Sequence, residues 1–114
     1  MVRPINPPQR GDVVWLDFDP QTSREQSGRR PALVLSDARY NQLTGRGVFC
    51  PITSKVKGYP FEVSISVGGV SGLVLSDHVK NLDWRARKLE FSGGKADAET
   101  LRIVLSNIRL LLGI

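Results

Sequence analysis

Residues Phe61-Glu62-Val63-Ser64-Ile65-Ser66-Val67 alternate apolar and polar side chains without a break, and Gly68-Gly69 follows at once. A period of two describes a strand with one face in the core and one in water. The glycine pair turns the chain, and Ser71 to Leu75 is a further strand candidate. Similar short runs recur. Asp12 to Asp19 is closed by Pro20, which cannot donate to a ladder, and Ala32 to Ser36 is apolar enough to be buried on both faces. Gly47 to Thr53, His78 to Leu82 and Arg87 to Phe91 complete the set. Ser76-Asp77 reads as a turn or bulge and Trp84-Arg85-Ala86 as a brief helical turn. So many short strands point to a mainly β fold, either a small, strongly bent barrel or two packed sheets.

Two helices are expected beside the strands. Asp37 is a plausible N-cap for a short helix through Leu43 that Gly45 ends. The clearer helix is C-terminal, capped by Asp97 with Thr100 at its third position. Leu101, Val104, Leu105, Ile108, Leu111 and Leu112 share one face at helical spacing, with Arg102 and Arg109 facing away. Ile103 and Leu110 leave further apolar surface that hints at a partner. Residues 1–10, with three prolines, read as an irregular arm. The 114 residues suit one domain with a single modest core.

Two polar loops interrupt the strands. The first, 20–30, carries Arg24-Glu25-Gln26-Ser27-Gly28-Arg29-Arg30-Pro31 and runs straight into the apolar stretch Ala32-Leu33-Val34-Leu35. A long loop in so small a domain is more often functional than idle. The second, Ser54-Lys55-Val56-Lys57-Gly58-Tyr59-Pro60, follows the strand that ends at Thr53. The net charge is +5, and residues 1–60 hold nine Lys/Arg against five Asp/Glu, so an anionic partner such as nucleic acid is favoured. Cys50 is alone, which excludes an intrachain disulfide and fits a reducing compartment. One cysteine and one histidine make no metal site, and no metal or other cofactor is expected. No apolar run is long enough for a membrane span, and the expected location is the cytoplasm.

Metal-free RNA cleavage requires removal of a 2′-hydroxyl proton, stabilisation of a pentacoordinate phosphate and protonation of the leaving 5′-oxygen. A histidine pair is not available, so the residues to weigh are those of the two loops. Arg30 is the best charge stabiliser, because a guanidinium presents a planar fork of donors to phosphate oxygens and this one sits at the loop–strand junction. Its alternative is a structural ion pair. Arg29 points the other way, as a phosphate contact or a solvated charge. Thr53 and Ser54 offer hydroxyls to a phosphate oxygen, or serve as turn chemistry. Glu25 is a base weakened by its arginine neighbours, or a salt-bridge partner that orders the loop. Lys55 and Lys57 suit backbone phosphates, and Tyr59 and Phe61 suit base stacking or the core.

Three ordered segments carry a resemblance: Gly11 to Pro20, Glu25 to Ser36, and Thr53 to Val63; Asp77 to Arg87 adds a fourth. Together they resemble the MazF family of toxin endoribonucleases over nearly the whole chain. The resemblance implies the MazF/Kid/CcdB fold, an SH3-like barrel with appended helices including the C-terminal amphipathic one, spanning 1–114 and working as a homodimer. It implies sequence-specific, metal-independent cleavage of single-stranded RNA to a 2′,3′-cyclic phosphate and a 5′-hydroxyl. It also implies a cognate MazE-like antitoxin with an acidic disordered tail. The family's catalytic arginine and threonine fall on Arg30 and Thr53, and its loop glutamate on Glu25. Arginine stays protonated, so Arg30 and Thr53 are expected to stabilise the phosphorane while Glu25 or water moves the proton. Arg24, Gln26, Arg29, Ser54, Lys55, Lys57, Tyr59 and Lys80 are the candidate RNA contacts. Many members have glycine where this chain has Ser23, and serine tolerates a positive φ less well. Two other functions fit a chain of this kind: a gyrase poison of the same fold, and a nucleic-acid-binding module without cleavage.

Overall fold

A computed structural model describes residues 6–18 and 28–114. The elements run β1 (Asp12–Asp17), β2 (Arg29–Val34), α1 (Ala38–Thr44), β3 (Arg46–Thr53), β4 (Glu62–Val67), β5 (Val70–Leu75), β6 (Lys80–Asp83), β7 (Glu90–Lys95) and α2 (Ala98–Leu112). All seven strands join one curled antiparallel sheet in the order β4-β5-β3-β2-β1-β7, with β6 also on β3. It is a half-barrel, mainly β, with two appended helices.

Both faces of the central strands are buried, which explains their unbroken apolar sequence. Val13, Leu33, Leu35, Cys50, Ile52, Val63 and Ile65 pack under α2 around Val104. Val14, Leu16, Ala32, Val34 and Phe49 point the other way, onto Leu82, Trp84 and Leu89. Asn41 ties these layers together from a fully buried position. Its Nδ2 donates to the Pro8 and Ser36 carbonyls at 2.8 and 3.1 Å, and its backbone oxygen accepts from Trp84 Nε1 at 3.1 Å.

Several boundaries differ from the sequence expectation. The second strand begins at Arg29 rather than Ala32, so Arg29 and Arg30 belong to the sheet and not to the loop. The first strand ends at Asp17; Asp19 lies outside the described residues. The sixth begins at Lys80 rather than His78. The last strand is Glu90–Lys95, not Arg87–Phe91, because Arg87 and Lys88 close a turn against Asp83 and Arg85, with Lys88 at φ 56°. The strand continues through Gly93-Gly94, and Gly94 is needed inside it. A Cβ there would stand 2.6 Å from the Gly68 nitrogen.

The helices match closely. Asp37 and Asp97 cap them, and Gly45 and Gly113 end them in the left-handed region. The apolar stripe of α2 outruns the sheet, however: Leu111 and Leu112 are exposed, while Ile103 packs on the first core. None of the helices is long and apolar enough to cross a membrane among the described residues.

Candidate active site at the Arg30–Thr53 end of the sheet

Two central strands deliver the principal residues to one end of the sheet. In the antiparallel β2–β3 pair Val34 faces Phe49 and Ala32 faces Pro51. Continued by two residues, that register brings Arg30 opposite Thr53. Alternation also gives both residues the side-chain face of Ala32 and Val34. Pro51 has no N–H, so the hydrogen-bonded ladder stops there. The strand ends beyond it stay beside each other without being sealed together. Arg30 is exposed, pairs in register with Leu16 of β1, and makes no ion pair among the described residues. Thr53 is half-buried and pairs with Leu73 of β5. Gly72 beside it has no room for a side chain, since a Cβ would stand 2.5 Å from the Thr53 carbonyl oxygen.

Arg29, one residue away, points to the opposite face and is fully engaged. Its guanidinium donates to Asp17 Oδ1 at 3.0 Å, to Glu90 Oε1 at 2.7 Å and to the Lys88 carbonyl at 2.5 Å. Burial opposes its charge, but the hydrogen bonds to Glu90 and Asp17 outweigh that and push its pKa above the ordinary value. Arg87 works on the same ground from the other side, donating through Nη1 to the Asp17 and Phe18 carbonyls. Phe18 N donates to the Gly28 carbonyl at 2.9 Å. The stem from which residues 19–27 depart and return is thereby closed and clamped. Arg24, Glu25 and Gln26 lie outside the described residues, as does Ser23.

The second polar loop is ordered by one carboxylate. Glu62 Oε2 and Oε1 accept from the Lys57 and Gly58 backbone nitrogens at 3.1 and 3.0 Å. Gly58 adopts φ 78° to make this possible. Thr53 Oγ1 accepts from Lys55 N at 3.1 Å, so the hydroxyl starts the same turn. Ser54, Lys55, Lys57 and Tyr59 are all exposed along it. Lys80 is exposed at the start of β6, opposite Phe49 and therefore on the Phe49 face.

The β2–β3 register leads Arg30 and Thr53 to one end of the sheet, the loop after Thr53 carries Ser54, Lys55 and Lys57, Lys80 lies opposite Phe49 further along β3, and Arg29 is held on the other face by Asp17 and Glu90. Sequence reasoning missed Glu62, Arg87 and Glu90. Glu62 was legible only as a wet-face residue of an alternating strand, and nothing in the sequence pairs Arg87 with a loop seventy residues earlier. His78 was set aside as a lone metal ligand, and the fold puts it in the link between β5 and β6. That link runs beside β3, between the residues that pair with Ile52 and Phe49. Cys50 is fully buried, and burial together with the Asp77 charge pushes its thiol up to about 12. No group of acidic, cysteine and histidine side chains able to hold a metal occurs among the described residues.

Comparison with known proteins finds relatives in both sequence and fold. Residues 9–112 match the family model described as PemK-like, MazF-like toxin of type II toxin–antitoxin system. The chain is 44% identical to the endoribonuclease toxin MazF of Escherichia coli K12 over 106 residues, covering 93% of this chain and 95% of that protein. It superposes on MazF of Deinococcus radiodurans with a TM-score of 0.85 and 51% identity, covering 95% of this chain and 98% of the other. It superposes on a chain of a MazE–MazF complex from the same organism with a TM-score of 0.83 and 48% identity, covering 95% and 97%. With almost its whole length matched in sequence and in fold, the chain belongs to the PemK-like, MazF-like toxin family of type II toxin–antitoxin systems.

Proposed function

We propose that this chain is a toxin endoribonuclease that cuts single-stranded RNA at specific sequences without a metal. The products are a 2′,3′-cyclic phosphate and a 5′-hydroxyl, and the cellular outcome is arrested translation and growth. Family membership and the endoribonuclease relatives support the activity. The observation that carries it into chemistry is the β2–β3 register, which leads Arg30 and Thr53 to the same open end of the sheet. Arg30 offers its guanidinium fork to the non-bridging oxygens as the phosphorane forms, and Thr53 adds a hydroxyl. Glu25 takes the 2′-hydroxyl proton, directly or through water. Ser54, Lys55, Lys57, Tyr59 and Lys80 hold the flanking nucleotides, together with Arg24 and Gln26. Arg29 acts at one remove, by holding the strand from which Arg30 projects.

The chain works in the cytoplasm as one toxin domain, 1–114, in a homodimer. A cognate MazE-like antitoxin neutralises it by laying an acidic, disordered tail over the active site. The gyrase-poison and cleavage-free readings lose ground because neither requires an arginine and a threonine brought together beside a lysine-bearing loop. The test is incubation of purified, antitoxin-free protein with mixed-sequence RNA in EDTA, followed by mapping of the ends. Cuts at a recurring short sequence with cyclic phosphate ends are expected; intact RNA overturns the proposal.

A further inference from the structure

We propose that Glu62 is a positioning residue that sets which bases the loop after Thr53 accepts. The inference rests on the ribonuclease reading above and concerns recognition of the RNA rather than the cut itself.

The loop 54–60 has little of the core to rest on. All of its residues are exposed, and a Cβ on Gly58 would meet no atom within 4 Å. Hydrogen bonds shape it instead, and Glu62 makes three of them. Its Oε2 accepts from Lys57 N at 3.1 Å, its Oε1 accepts from Gly58 N at 3.0 Å, and its backbone N donates to the Tyr59 carbonyl at 3.2 Å. Successive N–H groups that converge on one anion form a backbone nest, which needs a left-handed residue. Gly58 supplies it at φ 78°, and the anion is the chain's own carboxylate.

Glu62 is itself anchored. It opens β4, pairs with Leu75 and precedes the buried Val63. The Phe61 carbonyl beside it accepts from the backbone and the hydroxyl of buried Ser76, at 3.2 and 2.6 Å. Asn107 of α2 donates to the same hydroxyl at 3.1 Å. Thr53 pairs with Leu73 across the other edge of β5, so the loop leaves and returns astride that strand, between backbones about 10 Å apart.

Glu62 forms no ion pair among the described residues, so its charge serves backbone N–H groups and leaves the Lys55 and Lys57 ammoniums for phosphates. The backbone it fixes is that of Lys57, Gly58 and Tyr59, and Tyr59 is 58% exposed, a ring offered for stacking. Single-stranded RNA is read by stacking and by hydrogen bonds to base edges, and both need rings, donors and acceptors at set places. Arg30 and Thr53 are held by strand pairing and do not depend on this carboxylate. Loss of Glu62 therefore blurs recognition and weakens binding without slowing the cut once RNA is bound.

The test compares Glu62→Ala and Glu62→Gln with the unmodified protein in EDTA. The substrates are an RNA carrying the sequence found by end mapping and RNAs that differ from it by one base at each position around the cut. In Glu62→Ala the RNA has to order Lys57 and Gly58 on binding, so KM should rise ~10–100-fold while kcat stays within a few-fold. Preference over the single-base variants should shrink on one side of the cut and persist on the other. Glu62→Gln keeps one acceptor oxygen and should fall between. Gly58→Ala strains the left-handed turn but spares the carboxylate, and should reproduce the split. A merely structural role would lower the melting temperature and kcat together and leave the preference as it was. That result, or an unchanged KM and preference, overturns the assignment and leaves the ribonuclease reading standing. If the unmodified protein cuts no RNA, the ribonuclease reading falls and the assignment falls with it.

Discussion

Arg29→Ala and Arg30→Ala should fail in different ways, although the residues are neighbours. Arg29 holds Asp17, Glu90 and a turn carbonyl together, so its loss should cost about 1–2 kcal/mol and lower the melting temperature by several degrees. Arg30 touches none of these, and its loss should leave melting unchanged while cleavage falls by ~10²–10³, the usual cost of one preorganised donor. Paired melting curves and cleavage assays check both outcomes. Cys50 adds a pH effect whose sign follows from its thiol. An unfolded thiol ionises near 8.5, whereas the folded one is held protonated to about 12. Its contribution to stability is therefore complete below pH ~8.5 and is lost as pH rises towards the folded value. Urea midpoints should fall across that window, and Cys50→Val should flatten the fall. The same burial should keep the thiol inert to alkylation at neutral pH until the protein unfolds.

At the level of elements, β5 must approach β3 closely enough to fix Thr53, and Gly72 makes that possible. Gly72→Ala sets a methyl against the Thr53 carbonyl, so the strand pair has to shift. Cleavage should drop at least tenfold while circular dichroism still reports a folded sheet; unchanged cleavage would mean that Thr53 tolerates displacement. These elements were unevenly legible in the sequence. The alternation of 61–67, the two helix caps and the doubly buried run at Ala32 are local signals and lead straight to β4, α1, α2 and β2. The start of β2 was hidden because Arg29 and Arg30 look like loop residues until Asp17 and Glu90 are known to be near. β7 was placed too early, at Arg87 to Phe91, and only contact with Gly68 shows why the strand runs on through a glycine. The site divides in the same way. Arg30 and Thr53 stand out by residue type and motif. Glu62 and Arg87 act on backbone atoms that only the folded chain brings within reach.

For the whole molecule, the exposed cations Arg30, Lys55, Lys57 and Lys80 make RNA affinity a measure of counterion release. Four phosphate contacts on a single strand predict a log–log salt dependence with a slope of roughly −3 for one protomer. Filter binding with an uncleavable RNA at several salt concentrations would test this, and a flat dependence would place the RNA elsewhere. The clamped stem of residues 19–27 has a consequence of another kind. Arg29, Arg87 and the Phe18–Gly28 hydrogen bond fix both ends of that segment to the sheet. Length or sequence changes between those ends then cost little stability, because the closure is already made at its base. Lineages of such toxins are free to vary this segment around its carboxylate, diverging in the transcripts they attack while inheriting unaltered the sheet that carries the arginine and the threonine.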